Sequence, residues 1–180
     1  MKISARLMLL VGLMSALLVL VGGIGLWGIA SSNAALKSVY EDRTVALAQL
    51  GDVRGRLVGN AFVLVSAALD ATPEVAAKNT AQVEANIASI SKTWDAYMAT
   101  KLTADEEKAA KQFAAVRATY VTDGLLATVK ALRSGDFAAA TKLSMETLPK
   151  LYVPVRDTLD ALVKIQTDQA KAEYDAATQR

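Results

Sequence analysis

The chain has 180 residues, of which 53 % are apolar, and it contains neither cysteine nor histidine. The missing side chains exclude thiol and imidazole catalysis, disulfides and cysteine or histidine metal sites, so we predict no enzyme and no cofactor. A net charge of +2 is too small to indicate a nucleic-acid partner. With only 10 glycines and 3 prolines, the composition favours long helices and predicts an all-α protein.

The N-terminal part of the chain is predicted to be a membrane anchor. Residues 7–30 carry no charge, and as a helix they would extend roughly 36 Å, more than the roughly 30 Å hydrocarbon core of a bilayer. Lys2 and Arg6 precede this run, whereas the next cation along the chain is Lys37. The positive-inside rule therefore places residues 1–6 in the cytoplasm and the residues beyond the run on the far side of the membrane.

A cleaved secretory signal peptide is the alternative interpretation of the same apolar run. Ser32 and Ala34 would supply the small residues of a cleavage site. The run is longer than the roughly 7 to 15 residues of a signal-peptide core, which favours an uncleaved anchor. Under either interpretation, residues 31–180 are exported.

Residues 31–180 are predicted to form one domain made of four long helices. These helices span 31–70, 73–101, 104–133 and 137–180. The breaks between them carry residues typical of helix ends, namely Thr72, Pro73, Thr103, Glu106, Gly135 and Asp136. Because the connections are short, neighbouring helices must be antiparallel, which predicts an up-down-up-down four-helix bundle whose first helix is continuous with the anchor. Pro149 and Pro154 predict an irregular start to the fourth helix.

Three glycines recur at every fourth position of the first bundle helix, at Gly51, Gly55 and Gly59. Residues with this spacing lie on one face of a helix, and their small size lets another helix approach closely. The pattern is explained equally by a contact between two copies of the chain and by tight packing within one copy.

An apolar stripe on the first bundle helix is interrupted by Arg43 and Arg54. A guanidinium on a buried stripe is costly unless an anion or several acceptors meet it, which makes Arg54 a candidate anion receptor. The alternative is that Arg54 pairs with Glu84 or another acid of the chain, or that its charged end reaches past the stripe to solvent.

Counting residues along antiparallel helices places one polar layer at a common height across the bundle. It contains Arg54, Asn60, Asn86, Arg117, Tyr120, Thr147 and Lys150. Arg117 and Tyr120 are three residues apart and therefore share a helix face. Because arginine can hold a carboxylate through two parallel hydrogen bonds, we predict that this layer binds a small organic anion. The alternative for Arg117 is a solvated side chain beside a core tyrosine.

Other conspicuous side chains are predicted to be structural. Trp94 and Phe113 are expected in the core, where aromatic rings commonly pack. The acidic residues Asp105, Glu106 and Glu107 are expected to offset the dipole at a helix start rather than to bind a metal.

Four features of the chain occur together. They are the N-terminal anchor leading into the first bundle helix, the segment Tyr40-Glu41-Asp42-Arg43-Thr44, the turn Ser134-Gly135-Asp136 followed by Ala138, Ala139 and Ala140, and a glutamine-rich fourth helix. In combination they resemble the sensory region of bacterial methyl-accepting chemotaxis receptors that have four-helix-bundle ligand domains. The resemblance covers nearly the whole chain.

This resemblance implies a periplasmic homodimer that binds an amino acid, a di- or tricarboxylate or an aromatic acid. In the aspartate-type receptors of that family, the pocket lies at the dimer interface and uses three arginines of the first helix. Arg54 matches the first of these, whereas Gly59 and Val63 stand at the second and third positions, so the aspartate pattern is incomplete. Thr147 lies near the level of the hydroxyl that the family's fourth helix contributes.

The resemblance also implies that ligand binding is transmitted by a small piston-like displacement of the fourth helix. In an intact receptor a second transmembrane helix, a HAMP connector and a cytoplasmic coiled coil would follow Arg180. One alternative is the same bundle acting as the input domain of a sensor histidine kinase or a cyclase. The other is a structural bundle without a ligand, in which Arg54 and Arg117 would pair with acids of the chain.

Overall fold

The computed structural model of the chain describes residues 3–38 and 43–178, and every regular element within these ranges is a helix. We label them α1 (Ile3–Ser38), α2 (Val45–Asp70), α3 (Pro73–Met98), α4 (Ala104–Thr119, continued by a π-helical segment Tyr120–Leu126 and by Ala127–Arg133) and α5 (Phe137–Lys142, continued by a π-helical segment Leu143–Thr147 and by Leu148–Thr178). Helices α2 to α5 form the predicted four-helix bundle, and α1 is the predicted apolar helix. The all-α fold is thus confirmed.

Helix α1 contains a segment, Leu7–Ala34, that is long and apolar enough to cross a membrane, the one such segment in the part of the chain that the structure describes. None of its most apolar window is buried against protein, which distinguishes it from the core helix of a bundle. The predicted continuity between the anchor and the first bundle helix depends on residues 39–42, which lie outside the described residues.

The helix ends follow local side-chain chemistry at two of the three predicted breaks. Thr103 forms a capping box, in which its hydroxyl accepts a hydrogen bond from the Glu106 amide and the Glu106 carboxylate accepts one from the Thr103 amide. At the next break, the Asp136 carboxylate accepts a hydrogen bond from the Ala139 amide at 2.9 Å. Gly135 has a φ of +75°, the left-handed conformation that ends a helix. These three assignments are confirmed.

The remaining break is built differently from the prediction. Thr72 is extended and Pro73 is the first residue of α3, as expected, but the Thr72 hydroxyl does not cap the helix. It donates instead to the Asp70 carboxylate at 2.5 Å. The preceding helix is closed by Ala71 in the left-handed conformation, with a φ of +56° and its amide bonded to the Ala67 carbonyl.

The core is a continuous apolar cluster contributed by all four bundle helices. Its largest fully buried apolar side chains are Leu50, Leu57, Leu64, Ile90, Tyr97, Phe113, Tyr120, Leu125, Leu148, Leu159 and Leu162. The Trp94 ring packs against Phe113, with 4.5 Å between the ring centroids. The prediction that these aromatic side chains belong to the core is confirmed.

Helix α5 runs through both prolines and is irregular only before the first of them. The π-helical segment Leu143–Thr147 ends two residues before Pro149, and Pro154 lies inside the α-helical part that follows. The π-helical segment of α4 packs at the same level, and there Gly124 permits the contact. A Cβ atom on Gly124 would lie 2.7 Å from Leu148 Cδ2.

Candidate functional site

Three residues of the predicted polar layer meet in the interior between α2, α3 and α4. The Asn86 amide donates to the side-chain oxygen of the buried Asn60 at 2.8 Å. The Tyr120 hydroxyl donates to the Leu57 carbonyl at 3.3 Å, one helical turn from Asn60. Burial raises the pKa of Tyr120, which therefore stays protonated. Counting along the helices placed these residues at one height. Asn60 and Asn86 bond to each other and Tyr120 bonds to the backbone, whereas the buried Asn60 Nδ2 atom has no hydrogen-bond partner among the described residues.

Arg54 does not lie on the buried stripe. Its side chain is 38 % exposed at the edge of α2, and its guanidinium forms an ion pair with Asp160 of α5. Of the interpretations given for Arg54, the structure shows pairing with another acid of the chain, because a long side chain at the edge of a stripe can turn toward an acid on the adjacent helix. Glu84, the acid suggested for this role, is paired instead with both Nη atoms of Arg133 at 2.7 Å.

Arg117 differs from the other arginines whose side chains the structure describes. Each of the others has a carboxylate oxygen within 4 Å of its guanidinium, namely Arg43, Arg54, Arg56, Arg133 and Arg156. The Arg117 Nη2 atom donates to the Ser91 hydroxyl at 2.7 Å. Its Nε atom is buried and has no hydrogen-bond partner within the described ranges. Burial lowers the pKa of Arg117, and the negative charge of Asp95 opposes this effect.

This guanidinium lines a cavity of about 260 Å³ on the face between α3 and α4, which we call the Arg117 groove. Its walls are Ile87, Ser91, Trp94, Ala114, Arg117, Ala118, Val121 and Thr122. A larger groove of about 460 Å³ lies at the end of the bundle far from α1 and includes Arg133. The larger groove is a weaker anion site because Glu84 already neutralises its arginine.

The last two residues of the predicted layer lie apart from Arg117. Thr147 is half-buried and Lys150 is exposed, both on α5. Tyr152, farther along α5, reaches the layer through its ring, which lies 5.8 Å from the Tyr120 ring between centroids. Within the described ranges, no hydrogen bond joins Thr147 or Lys150 to another member of the layer. Apart from these two residues, the layer divides into three separate parts: Asn60 with Asn86 and Tyr120, the Arg54 ion pair, and the Arg117 groove.

The face of α2 that carries Gly51, Gly55 and Gly59 is open. A Cβ atom built on any of these glycines would meet no described atom within 4 Å outside its own helix segment. Phe62 continues the same face and is 74 % exposed. These glycines therefore do not permit a close approach by another described helix of the same chain.

A buried polar network at the end of the bundle nearest α1 was missed by the sequence analysis. The Glu106 carboxylate is fully buried and accepts hydrogen bonds from Arg43 Nη1 at 3.4 Å and from the side-chain amide of Gln166. Arg43 Nη2 also contacts Glu173 Oε1 at 3.0 Å. We call Arg43, Glu106, Gln166 and Glu173 the basal network. It connects the chain just before α2 with α4 and α5.

Two signals in the sequence indicated this network. Arg43 interrupts the apolar stripe of the first bundle helix, and Gln166 follows Leu162 on the apolar stripe of the fourth. Two polar residues on buried stripes at the same end of a bundle require a shared partner. Glu106 was assigned to the helix dipole because its position at a helix start already had a local explanation.

A protein-family model matches most of the chain. The model described as "Tar ligand binding domain homologue" matches residues 1–170. The comparisons with curated proteins and with solved structures found no match. Because the family model covers nearly the whole chain, the chain belongs to this family of chemoreceptor ligand-binding domains. It is thus a ligand-sensing module with an N-terminal apolar helix.

The basal network generates a stability prediction. Replacement Glu106→Gln removes the buried negative charge of the basal network and should lower the free energy of unfolding by about 1.5 to 3 kcal/mol, because Arg43 and Gln166 lose a charged acceptor while Arg43 keeps its ion pair with Glu173. The full chain is unfolded in detergent with a chemical denaturant, and the loss of helix is monitored by circular dichroism. The matched control is Glu107→Gln, whose exposed ion pair with Lys111 should add nothing measurable. Equal stability of the two variants would contradict this role for Glu106.

Proposed function

We propose that this domain senses a small organic anion and binds it in the Arg117 groove. The observation that carries the proposal is the state of Arg117, which has a buried Nε without a partner and no carboxylate contact within the described part of the chain. A buried donor without an acceptor costs about 1 to 3 kcal/mol. A bound carboxylate would remove this cost by accepting from Nε and Nη2 in parallel.

The same observation separates a ligand-binding domain from a structural bundle. In a bundle without a ligand, acids of the chain should neutralise its cations, as Asp160 does for Arg54. Among the described residues, the one hydrogen-bond acceptor of the Arg117 guanidinium is the neutral hydroxyl of Ser91.

The membrane arrangement that we propose has a cytoplasmic N-terminus and a periplasmic bundle. It is supported by Lys2 and Arg6 before the apolar helix, according to the positive-inside rule. We further propose that α5 carries the signal toward the membrane. Its support is that α5 contacts Tyr120 through Tyr152 at the level of the polar layer and enters the basal network through Gln166. A ligand shifts such a helix only by binding its two positions with different affinity.

The proposed site predicts the effect of replacing the arginine that binds the anion. Arg117→Ala should abolish the stabilisation of the full chain by the acid that binds, because it removes charge-assisted hydrogen bonds worth about 1.5 to 3 kcal/mol. The acid is found by measuring the melting temperature in nanodiscs with amino acids, di- and tricarboxylates and aromatic acids, since a ligand of the folded state raises it. Calorimetry then gives Kd for each variant.

Arg54→Ala and Arg156→Ala are the matched controls for this experiment. Both remove an arginine that is already paired with an acid, Asp160 and Asp157 respectively. Binding should survive in both, with unchanged helix content. Binding that is lost in Arg54→Ala and retained in Arg117→Ala would contradict the proposed site.

We also propose that two copies of the chain form a homodimer through the open glycine face of α2. Its support is the space beside Gly55 and the exposed Phe62 next to it. Because the chain has no cysteine, Gly55→Cys introduces a single thiol. Mild oxidation in nanodiscs should convert this variant to a covalent dimer on a denaturing gel. The control Ala81→Cys, exposed on α3, should stay monomeric, and equal cross-linking of the two would exclude this interface.

A further inference from the structure

The charges around the Arg117 groove restrict what it accepts. Arg117 is the one charged residue among the residues that the structure places in its walls. Outside the walls, the negative charge of Asp95 acts on Arg117. A second carboxylate on the ligand would therefore lose its hydration without gaining a cation. An ammonium group would also find no acid in the described walls.

The two hydroxyl groups in the walls are already committed as donors. Ser91 donates to the Ile87 carbonyl at 3.1 Å, so its oxygen can accept from Arg117 but its proton is used. Thr122 donates to the Ala118 carbonyl at 3.0 Å or to the Asp123 carboxylate at 2.9 Å. Ser91 therefore positions the guanidinium, and beyond Arg117 the walls offer a ligand little hydrogen-bond donation.

The remaining surface of the groove is apolar. Ile87 and Val121 are half-buried, and Trp94 is held against Phe113 in the core. Ala114 and Ala118 leave room between them and the facing helix. The volume of about 260 Å³ lies below the roughly 300 to 1,000 Å³ typical of pockets for drug-sized ligands. The space therefore suits one ring or a short branched chain.

From these observations we infer that the Arg117 groove selects a monocarboxylate with a compact apolar body over dicarboxylates, tricarboxylates and amino acids. This inference rests on the proposed function, because it names the ligand class of the same site. The carboxylate pairs with Arg117, and the apolar body lies along Trp94, Ile87 and Val121. The apolar walls favour a ligand with an apolar body, and the single cation favours a ligand with one carboxylate. Both features therefore select apolar monocarboxylates.

The test is calorimetry on the full chain in nanodiscs with six probes. They are benzoate and 3-methylbutanoate as apolar monocarboxylates, succinate and citrate as polyacids, L-phenylalanine as an amino acid, and benzyl alcohol as the uncharged analogue of benzoate. We expect the two monocarboxylates to bind at least about tenfold more tightly than any other probe, since each other probe buries an unpaired polar group or lacks the charge.

A space-filling variant tests the apolar part of the groove separately from the cation. Ala118→Leu should weaken benzoate binding at least about tenfold by occupying the volume of the ring. Ala115→Leu adds the same atoms at an exposed position of α4 outside the groove walls and should leave Kd unchanged. Melting temperatures of both variants without ligand show whether the fold is intact.

The possible outcomes separate the two proposals. Succinate, citrate or phenylalanine binding as tightly as benzoate, with that binding lost in Arg117→Ala, would overturn the ligand class and leave the proposed function standing. Binding of any probe that survives Arg117→Ala, or no binding by any of them, would overturn the groove as the sensory site and the inference with it. Monocarboxylate selectivity that is lost in both Arg117→Ala and Ala118→Leu supports both.

Discussion

A charge that leaves water must meet its counter-charge, and the buried carboxylate of Glu106 is the point where this bundle depends most on that constraint. Glu106 is enclosed by Arg43 before α2, by its own capping box at the start of α4, and by Gln166 of α5. Apolar packing along the bundle is not directional, whereas these hydrogen bonds hold only in one register. The position of α5 at the end near α1 is therefore set by the basal network.

The same constraint explains why Arg117 stands out. Arg54 and Arg133 are satisfied by acids on facing helices, and Arg43 is satisfied by the basal network. A folded chain in which local rules hold almost everywhere tends to break them where it has a function. Buried side-chain atoms without a partner among the described residues also occur on Gln49, Asn60, Gln169 and Glu173, but Arg117 is the one cation of this set and the one member that lines the small apolar cavity. The family match indicates a ligand-sensing module, and this arginine indicates where an anion would be recognised.

The sequence was sufficient for the helices because their ends depend on neighbouring residues. Gly135 and Asp136 carry the whole signal for one helix end and the next start, and both behave as predicted. The site was harder because it depends on how helices are rotated against each other, which hydrophobic spacing does not define. Arg54 turned to Asp160 on another helix, and Glu106 faced the interior although its position also suits an exposed cap. The level of a residue along the bundle could be predicted from the sequence, whereas its partner on another helix could not.

Binding of an anion by Arg117 can be tested through the NMR signal of its Nε–H group, in the full chain labelled with ¹⁵N-arginine and reconstituted in nanodiscs. The signal is assigned as the one that disappears in Arg117→Lys, and benzoate is then titrated into the labelled protein. We expect a saturable shift of this signal as the buried Arg117 Nε–H group gains an acceptor, while the Arg54 signal does not move. An Arg117 signal that does not move, while that of another arginine shifts to saturation, would contradict binding by Arg117.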